Sequence, residues 1–353
     1  MAQAGEKTEY GTTTGMRDRA ALQSWLGDRI DGFGAIQEIT KFPGGQSNPT
    51  YRIEASGGTY VLRRKPFGPI LPSAHAVERE YRLIAALHPT GFPVARPYAL
   101  CEDDAIIGSA FYVMEMVAGR SLYDGALPEL DPAGRGTIYA AMVDTLADLH
   151  EIRPDAVKLA GYGPPGNYFE RQVRRWTKQY RASQTDDLPE VERLIAWLPA
   201  TLPAQDRVSI IHGDYRIDNL IFAADGPAIR AVLDWELATL GDPLADFAYF
   251  AMNWAMPRTD RGAAALGGLD LPMLGIPGLA AITARYCRRT GRDSMPDLAW
   301  YFAYNLFRLV GIIQGIRKRI LDGNASSASA AETAARFRPL AEQAWRFARA
   351  AGA

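Results

Sequence analysis

The feature that most constrains this chain is a change of texture part-way along it. Ile36 to Phe42, Tyr51 to Glu54, Thr59 to Arg64 and Phe111 to Met116 are short runs rich in β-branched and aromatic residues, separated by Gly and Pro. Such runs read as strands of an antiparallel sheet. One helix interrupts them, from about Ser73 to Leu87. Another precedes them, Arg17 to Ile30, with Leu22, Trp25, Leu26 and Ile30 on one side. After Gly119 the spacing turns helical. Ile138, Met142, Leu146 and Leu149 recur every three or four residues, and Tyr168, Val173, Trp176 and Tyr180 do so more loosely. Ser209-Ile210-Ile211, Leu220-Ile221-Phe222 and Ala231-Val232-Leu233 break that pattern as short strands around polar turns. Gly323 to Ser329 reads as a small-residue linker before a last helix over about 330–350. The expected chain is α+β and bilobal. It has a flexible tail over 1–16, a small antiparallel-sheet lobe over 17–117 and a larger, mostly helical lobe over 118–353.

Length and charge agree with that division. The 353 residues make about two domains at roughly 150 residues each. Lys and Arg number 39 against 40 Asp and Glu, so no global basic field exists to gather nucleic acid, and no nucleic-acid partner is expected. Two cysteines, Cys101 and Cys287, cannot make a disulfide framework and read as free thiols of a reducing cytosol. Met1 to Lys7 has no apolar core, so no signal peptide is expected. The longest apolar stretch, Leu298 to Ile316, is interrupted by Asn305, Arg308 and Gln314. It reads as a buried helix, not a membrane span. A cytoplasmic protein is the expectation.

The chemistry concentrates in Ile211-His212-Gly213-Asp214-Tyr215-Arg216-Ile217-Asp218-Asn219-Leu220, a polar loop flanked by apolar residues on both sides. Fifteen residues after Asn219 comes Leu233-Asp234-Trp235, again a carboxylate at the end of an apolar run. Phosphoryl transfer needs one carboxylate to orient a hydroxyl and accept its proton, and hard oxygen ligands to hold Mg²⁺ against phosphates. Asp214, Asn219 and Asp234 supply those three items. Singly, Asp214 and Asn219 would pass for Asx turns; the set at this spacing points to the chemistry.

His-Gly-Asp-x4-Asn followed by Leu-Asp-Trp resembles the aminoglycoside phosphotransferase and choline-kinase-like family, the small-molecule branch of the protein-kinase-like fold. The resemblance implies Asp214 as catalytic base, Asn219 and Asp234 as Mg²⁺ ligands, and ATP as phosphoryl donor. His212 would be a packing residue of the loop. Gly44, Gly45, Gln46, Ser47 and Asn48 lie where the family has its phosphate-covering loop, and small residues with free N–H groups suit phosphate oxygens. The family's phosphate-holding lysine is replaced by Arg63, with Arg64 and Lys65 after it. Arg63 and Lys65 share one side of an ideal strand, and either could grip phosphate. Glu80 matches the glutamate that pairs with this residue. Phe111 to Gly119 matches the hinge, with backbone groups of Glu115 and Val117 at the adenine edge. Asp242 reads as a helix N-cap with Pro243 after it. Asp246 would support the catalytic loop.

Residues 240–353 carry 14 Lys and Arg against 9 Asp and Glu, an excess of +5, which suits an anionic acceptor better than a polycation. Gly45 to Tyr51, Tyr60 to Pro66, Arg171-Gln172-Val173 and Gln179 to Ser183 resemble one subgroup. Its kinase domains stand alone or are fused to acyl-CoA dehydrogenases, and they phosphorylate the 4-hydroxyl of hydroxyacyl-CoA thioesters. The leading expectation is therefore a Mg-ATP-dependent kinase of a small hydroxyl compound, such as a 4-hydroxyacyl-CoA. The alternatives are an aminoglycoside phosphotransferase, a non-catalytic nucleotide-binding module and, ranked last, a protein kinase.

Overall fold

The computed structural model describes residues 18–43, 48–67, 76–164, 166–323 and 330–353. The expected tail over 1–16, Gly44 to Ser47 of the glycine-rich run, the first residues of the expected helix from Ser73, and Asn324 to Ser329 lie outside them. The chain divides into two compact units. One is 1–118 with 230–232, and the other is 119–229 with 233–353.

The first unit is built on a five-stranded antiparallel sheet of β1 (Ile36–Lys41), β2 (Thr50–Ala55), β3 (Gly58–Arg64), β4 (Pro97–Cys101) and β5 (Phe111–Glu115), in the order β1-β2-β3-β5-β4. Alternation dictates which side chains go inside. Tyr51 and Ile53 on β2 are buried while Arg52 between them is exposed. Leu22 and Leu26, one turn apart on the helix Arg19–Gly27, are buried with Phe33, Tyr60, Leu62, Phe111 and Val113 in one core. Asp18 starts that helix by accepting from the amides of Ala20 and Ala21. Strand β4 escapes the sequence pattern for a physical reason. It is an edge strand that opens on a proline, and its register slips between Pro97 and Ala99. On the helix Val77–Leu87 the buried positions are Val77, Glu80, Leu83, Ile84 and Leu87. A carboxylate therefore stands in an otherwise apolar stripe, where it must be partnered.

The second unit is mostly helical. Asp131 caps the helix Pro132–Glu151 by accepting from Gly134 at 2.7 Å, and the helix buries Ile138, Met142, Leu146 and Leu149. The helix Ala299–Leu321 packs on Tyr168–Ala182, Pro243–Ala255 and Phe337–Ala350. Its three polar interruptions are all inside. Asn305 donates to the Ala245 carbonyl at 3.1 Å, Gln314 to the Thr185 hydroxyl at 2.9 Å, and Arg308 to the Gly213 carbonyl. Among the described residues no helix is long and apolar enough to cross a membrane. The expected last helix is two, Ala330–Ala335 and Phe337–Ala350. Cys101 and Cys287 are free and buried.

Leu146 is fully buried, so Leu146→Ala leaves a cavity and should cost about 2–5 kcal/mol. Urea unfolding reads this as a lower midpoint. An unchanged midpoint would contradict the burial.

Candidate active site

The polar loop is held from below. The strand Ser209–Ile211, buried at all three positions, pairs antiparallel with Thr239–Gly241, Ile211 opposite Thr239 and Ser209 opposite Gly241. This pairing brings the chain after Asp234 back under the loop and delivers it to the helix Pro243–Ala255. Asp242 caps that helix by accepting from Leu244 at 2.8 Å. Asp246, one turn in, is 1% exposed and accepts from two loop amides, His212 at 2.5 Å and Gly213 at 2.7 Å. His150 stands 3.4 Å from it. Burial would raise this carboxyl. The hydrogen bond and attraction of His150, with the Gly213 amide, outweigh it and hold Asp246 below the usual carboxylate range. Gly213 turns the chain at φ 84, and a Cβ there would lie 2.8 Å from the Leu237 carbonyl oxygen, so a side chain is excluded twice over.

His212 is wholly buried. Its Nδ1 accepts from the Asp214 amide at 3.1 Å, so its Nε2–H donates to the Leu233 carbonyl at 2.8 Å. Leu233 in turn donates its amide to the Asn219 carbonyl at 2.8 Å. These bonds bring the three sequence-selected residues of this unit into one neighbourhood. Asn219 Nδ2 donates to the Asp214 carbonyl at 2.9 Å and approaches Asp214 Oδ2 at 3.3 Å. Asp234 follows Leu233 directly and has a left-handed backbone, φ 63 and ψ 63. A non-glycine residue held there marks stored strain of the kind that gathers at functional sites. With its amide nitrogen committed to Asp214, Asn219 offers its carbonyl oxygen; Asp234 offers a carboxylate. Among the described residues no three His, Cys, Asp or Glu side chains converge on a metal position. One amide oxygen and one carboxylate still fit Mg²⁺, which takes one or two protein carboxylates and completes its shell with phosphate and water.

The first unit assembles its own set. Arg63 Nε lies 2.8 Å from Glu80 Oε2. Tyr112 donates its hydroxyl to Oε2 at 3.1 Å, and Asn48 donates to Oε1 at 2.7 Å. Glu80 thus joins the described end of the glycine-rich run to strand β3. Lys65 pairs with Glu78 at 2.9 Å, and Arg64 is buried over the Phe67 ring. Of the basic triplet, Arg63 is the residue the buried carboxylate orients. Glu115 donates its amide to the Arg96 carbonyl at 2.9 Å. Val117 is half-buried.

Two residues that the motif pattern does not contain complete the loop's setting. Tyr249 donates its hydroxyl to Asp214 Oδ1 at 2.5 Å, and Arg308 donates to the Gly213 carbonyl. Both left a signal. Tyr249 follows Asp246 by three residues and so shares its helix face, and Arg308 is the one cation within Leu298 to Ile316.

The +5 excess over 240–353 does not survive as a free field. Arg285 is bidentate to Asp144 at 2.7 and 2.6 Å, and Arg258 to Asp124 at 2.8 and 2.7 Å. Arg289 pairs with Asp148 and Arg317 with Asp186. Residues 119–353 as a whole carry 27 basic and 27 acidic side chains.

Fold and loop together define a phosphotransferase of the kinase-like fold. Residues 38–282 match the phosphotransferase enzyme family, and the chain belongs to it. Acyl-CoA dehydrogenase family member 10 of Mus musculus is 45% identical over 311 residues, which are 88% of this chain and 29% of that protein. The chain thus spans less than a third of that relative. A solved structure from Ralstonia eutropha JMP134, described as a candidate aminoglycoside phosphotransferase, is 46% identical with a TM-score of 0.85, over 94% of this chain and 98% of that one. The fold alone is shared, at 16% identity and a TM-score of 0.62 over 95% of this chain and 100% of the other, with a ternary complex of a thermostable mutant of aminoglycoside phosphotransferase APH(4)-Ia with AMP-PNP and hygromycin B.

Burial raises the Asp242 carboxyl to about 6. An unfolded aspartate titrates near 3.9. The folded state therefore keeps a proton that the unfolded state releases, and stability is lost as pH rises from about 4 through about 6. Asp242→Asn keeps a capping oxygen and cannot ionise. Its stability relative to the parent should climb over that window in urea titrations at stepped pH. Parallel curves would contradict the raised value.

Proposed function

We propose that this phosphotransferase moves the terminal phosphoryl group of Mg-ATP to a hydroxyl of a small molecule, and that a 4-hydroxyacyl-CoA thioester is the leading acceptor. The observation that carries the reaction is the tied loop, with Asp214, Asn219 and Asp234 linked through the bonds of His212 and Leu233. Asp214 orients the acceptor hydroxyl and takes its proton as the new O–P bond forms. Asn219 and Asp234 are the residues that would hold Mg²⁺, whose charge neutralises that of the phosphates. Arg63, aimed by Glu80, grips the nucleotide phosphates with a guanidinium in place of the usual ammonium. The run from Gly44 to Asn48 covers those phosphates, and backbone groups of Glu115 and Val117 meet the base. The intact set of three polar residues disfavours a non-catalytic module.

The acceptor rests on different support. The paired arginines remove bulk charge as an argument for an anionic substrate. What remains is the likeness of Gly45 to Tyr51, Tyr60 to Pro66, Arg171-Gln172-Val173 and Gln179 to Ser183 to kinase domains joined to acyl-CoA dehydrogenases, together with 45% identity to a protein of that name. The panel that decides is ADP release from Mg-ATP with 4-hydroxyacyl-CoAs, kanamycin-type aminoglycosides, choline and simple sugars. Turnover confined to the CoA esters is expected. Turnover confined to an aminoglycoside would replace that acceptor.

Two variants probe the assigned roles. Asp234→Ala should weaken binding of Mg-AMP-PNP in calorimetry while binding of the nucleotide without Mg²⁺ changes little. Equal affinity for the Mg form would remove Asp234 from the metal site. Arg63→Ala loses a charge-assisted contact and should raise KM for Mg-ATP about tenfold or more. An unchanged KM would pass the role to Lys65.

A further inference from the structure

Tyr249 and Arg308 lie behind Asp214, on two helices that the motif does not include. Asp246 and Tyr249 leave the same face of the helix Pro243–Ala255, one residue fixing the amides of His212 and Gly213, the other meeting the Asp214 carboxylate. Tyr249 is 3% exposed and its ring cannot wander. Arg308, 6% exposed on the helix Ala299–Leu321, has its guanidinium carbon 5.4 Å from the Tyr249 ring centroid and 5.8 Å from that of Trp176. A buried cation is costly unless partnered. Here a loop carbonyl, two ring faces and the nearby charge of Asp214 meet it.

A carboxylate turns readily about its Cβ–Cγ bond, so loop backbone bonds alone do not decide which oxygen faces a substrate. Asn219 does not decide it either, since its approach to Oδ2 is long at 3.3 Å and its better bond, 2.9 Å, goes to the Asp214 carbonyl. The Tyr249 hydroxyl, 2.5 Å from Oδ1, does.

We propose that Tyr249 is a positioning residue for Asp214: its hydroxyl locks Oδ1 and so presents Oδ2 to the acceptor, while Arg308 keeps the Tyr249 ring and the Gly213 carbonyl in register. The inference rests on the reading of Asp214 as the base. In the step it serves, the acceptor O–H bond breaks and its proton goes to Oδ2. The acceptor oxygen bonds the terminal phosphorus, and ADP leaves with the electrons of the broken O–P bond. No proton passes through Tyr249.

Tyr249→Phe keeps the ring and deletes only the hydroxyl. With Mg-ATP and 4-hydroxyacyl-CoA, or with water as acceptor and phosphate release as the signal, kcat should fall about 10- to 100-fold. KM for Mg-ATP and the melting temperature should stay near the parent's. Added to Asp214→Asn, the change should lower turnover no further, whereas a general structural role would lower it in both backgrounds. Arg308→Lys keeps a cation but not the guanidinium geometry, and should lower kcat with the same split. Parental kcat in Tyr249→Phe, with Asp214→Asn inactive, overturns the inference. If Tyr249→Phe does not fold, parental kcat in Arg308→Lys does so. Parental kcat in Asp214→Asn overturns the underlying reading of the base instead.

Discussion

A single buried carboxylate organises the catalytic unit. Asp246 spends its two oxygens on the amides of His212 and Gly213, and the loop takes its shape from that anchor. Amide bonds to an ionised acceptor contribute more than neutral ones, roughly 1.5–3 kcal/mol each, because the charge has no water to fall back on. With Gly213 fixed in a left-handed turn, the chain delivers Asp214 and then, through the Leu233–Asn219 bond, Asn219 and Asp234. The helix that carries Asp246 also carries the cap Asp242 and the tyrosine that meets Asp214. The residue that anchors the loop and the one that meets the Asp214 carboxylate stand on the same rigid element, as accurate placement requires.

The sheet-based unit follows the same logic on a smaller scale. Glu80 occupies a position that helical spacing makes apolar. It is stable there because an arginine, an asparagine and a tyrosine converge on it. One buried acid thus aims the cation of β3 and ties down Asn48. The replacement of lysine by Arg63 keeps this device intact, since a guanidinium, like an ammonium, can pair with the buried carboxylate.

Much of this was legible in the residues. The strand-loop-strand insert showed itself because apolar runs bracket a polar loop, and the spacing of Asp214, Asn219 and Asp234 is what carries the proposed chemistry in the sequence. Glu80 with Arg63 was legible only through the family resemblance, since an acid on a helix ordinarily faces solvent. Three things were hidden. Strand β4 was masked by its proline and its slipped register. The contacts of Tyr249 and Arg308 left no pattern of their own, because a buried hydroxyl or guanidinium gains its role from a neighbour 35 or 95 residues away. The +5 excess was a correct count that does not by itself argue for any acceptor. Charge summed along a chain becomes a field only where the fold leaves it unpaired, and here Asp124, Asp144, Asp148 and Asp186 come from outside the counted segment to meet it.

Asp214 is assigned to the acceptor in the chemical step and not to the nucleotide. The most direct measurement is a single turnover in which the parent and Asp214→Asn are each loaded with γ-labelled Mg-ATP and mixed with acceptor, with label transfer and nucleotide occupancy followed together. With that assignment, full occupancy is expected in both proteins and label transfer in the parent alone. Transfer at the parental rate by Asp214→Asn would contradict it.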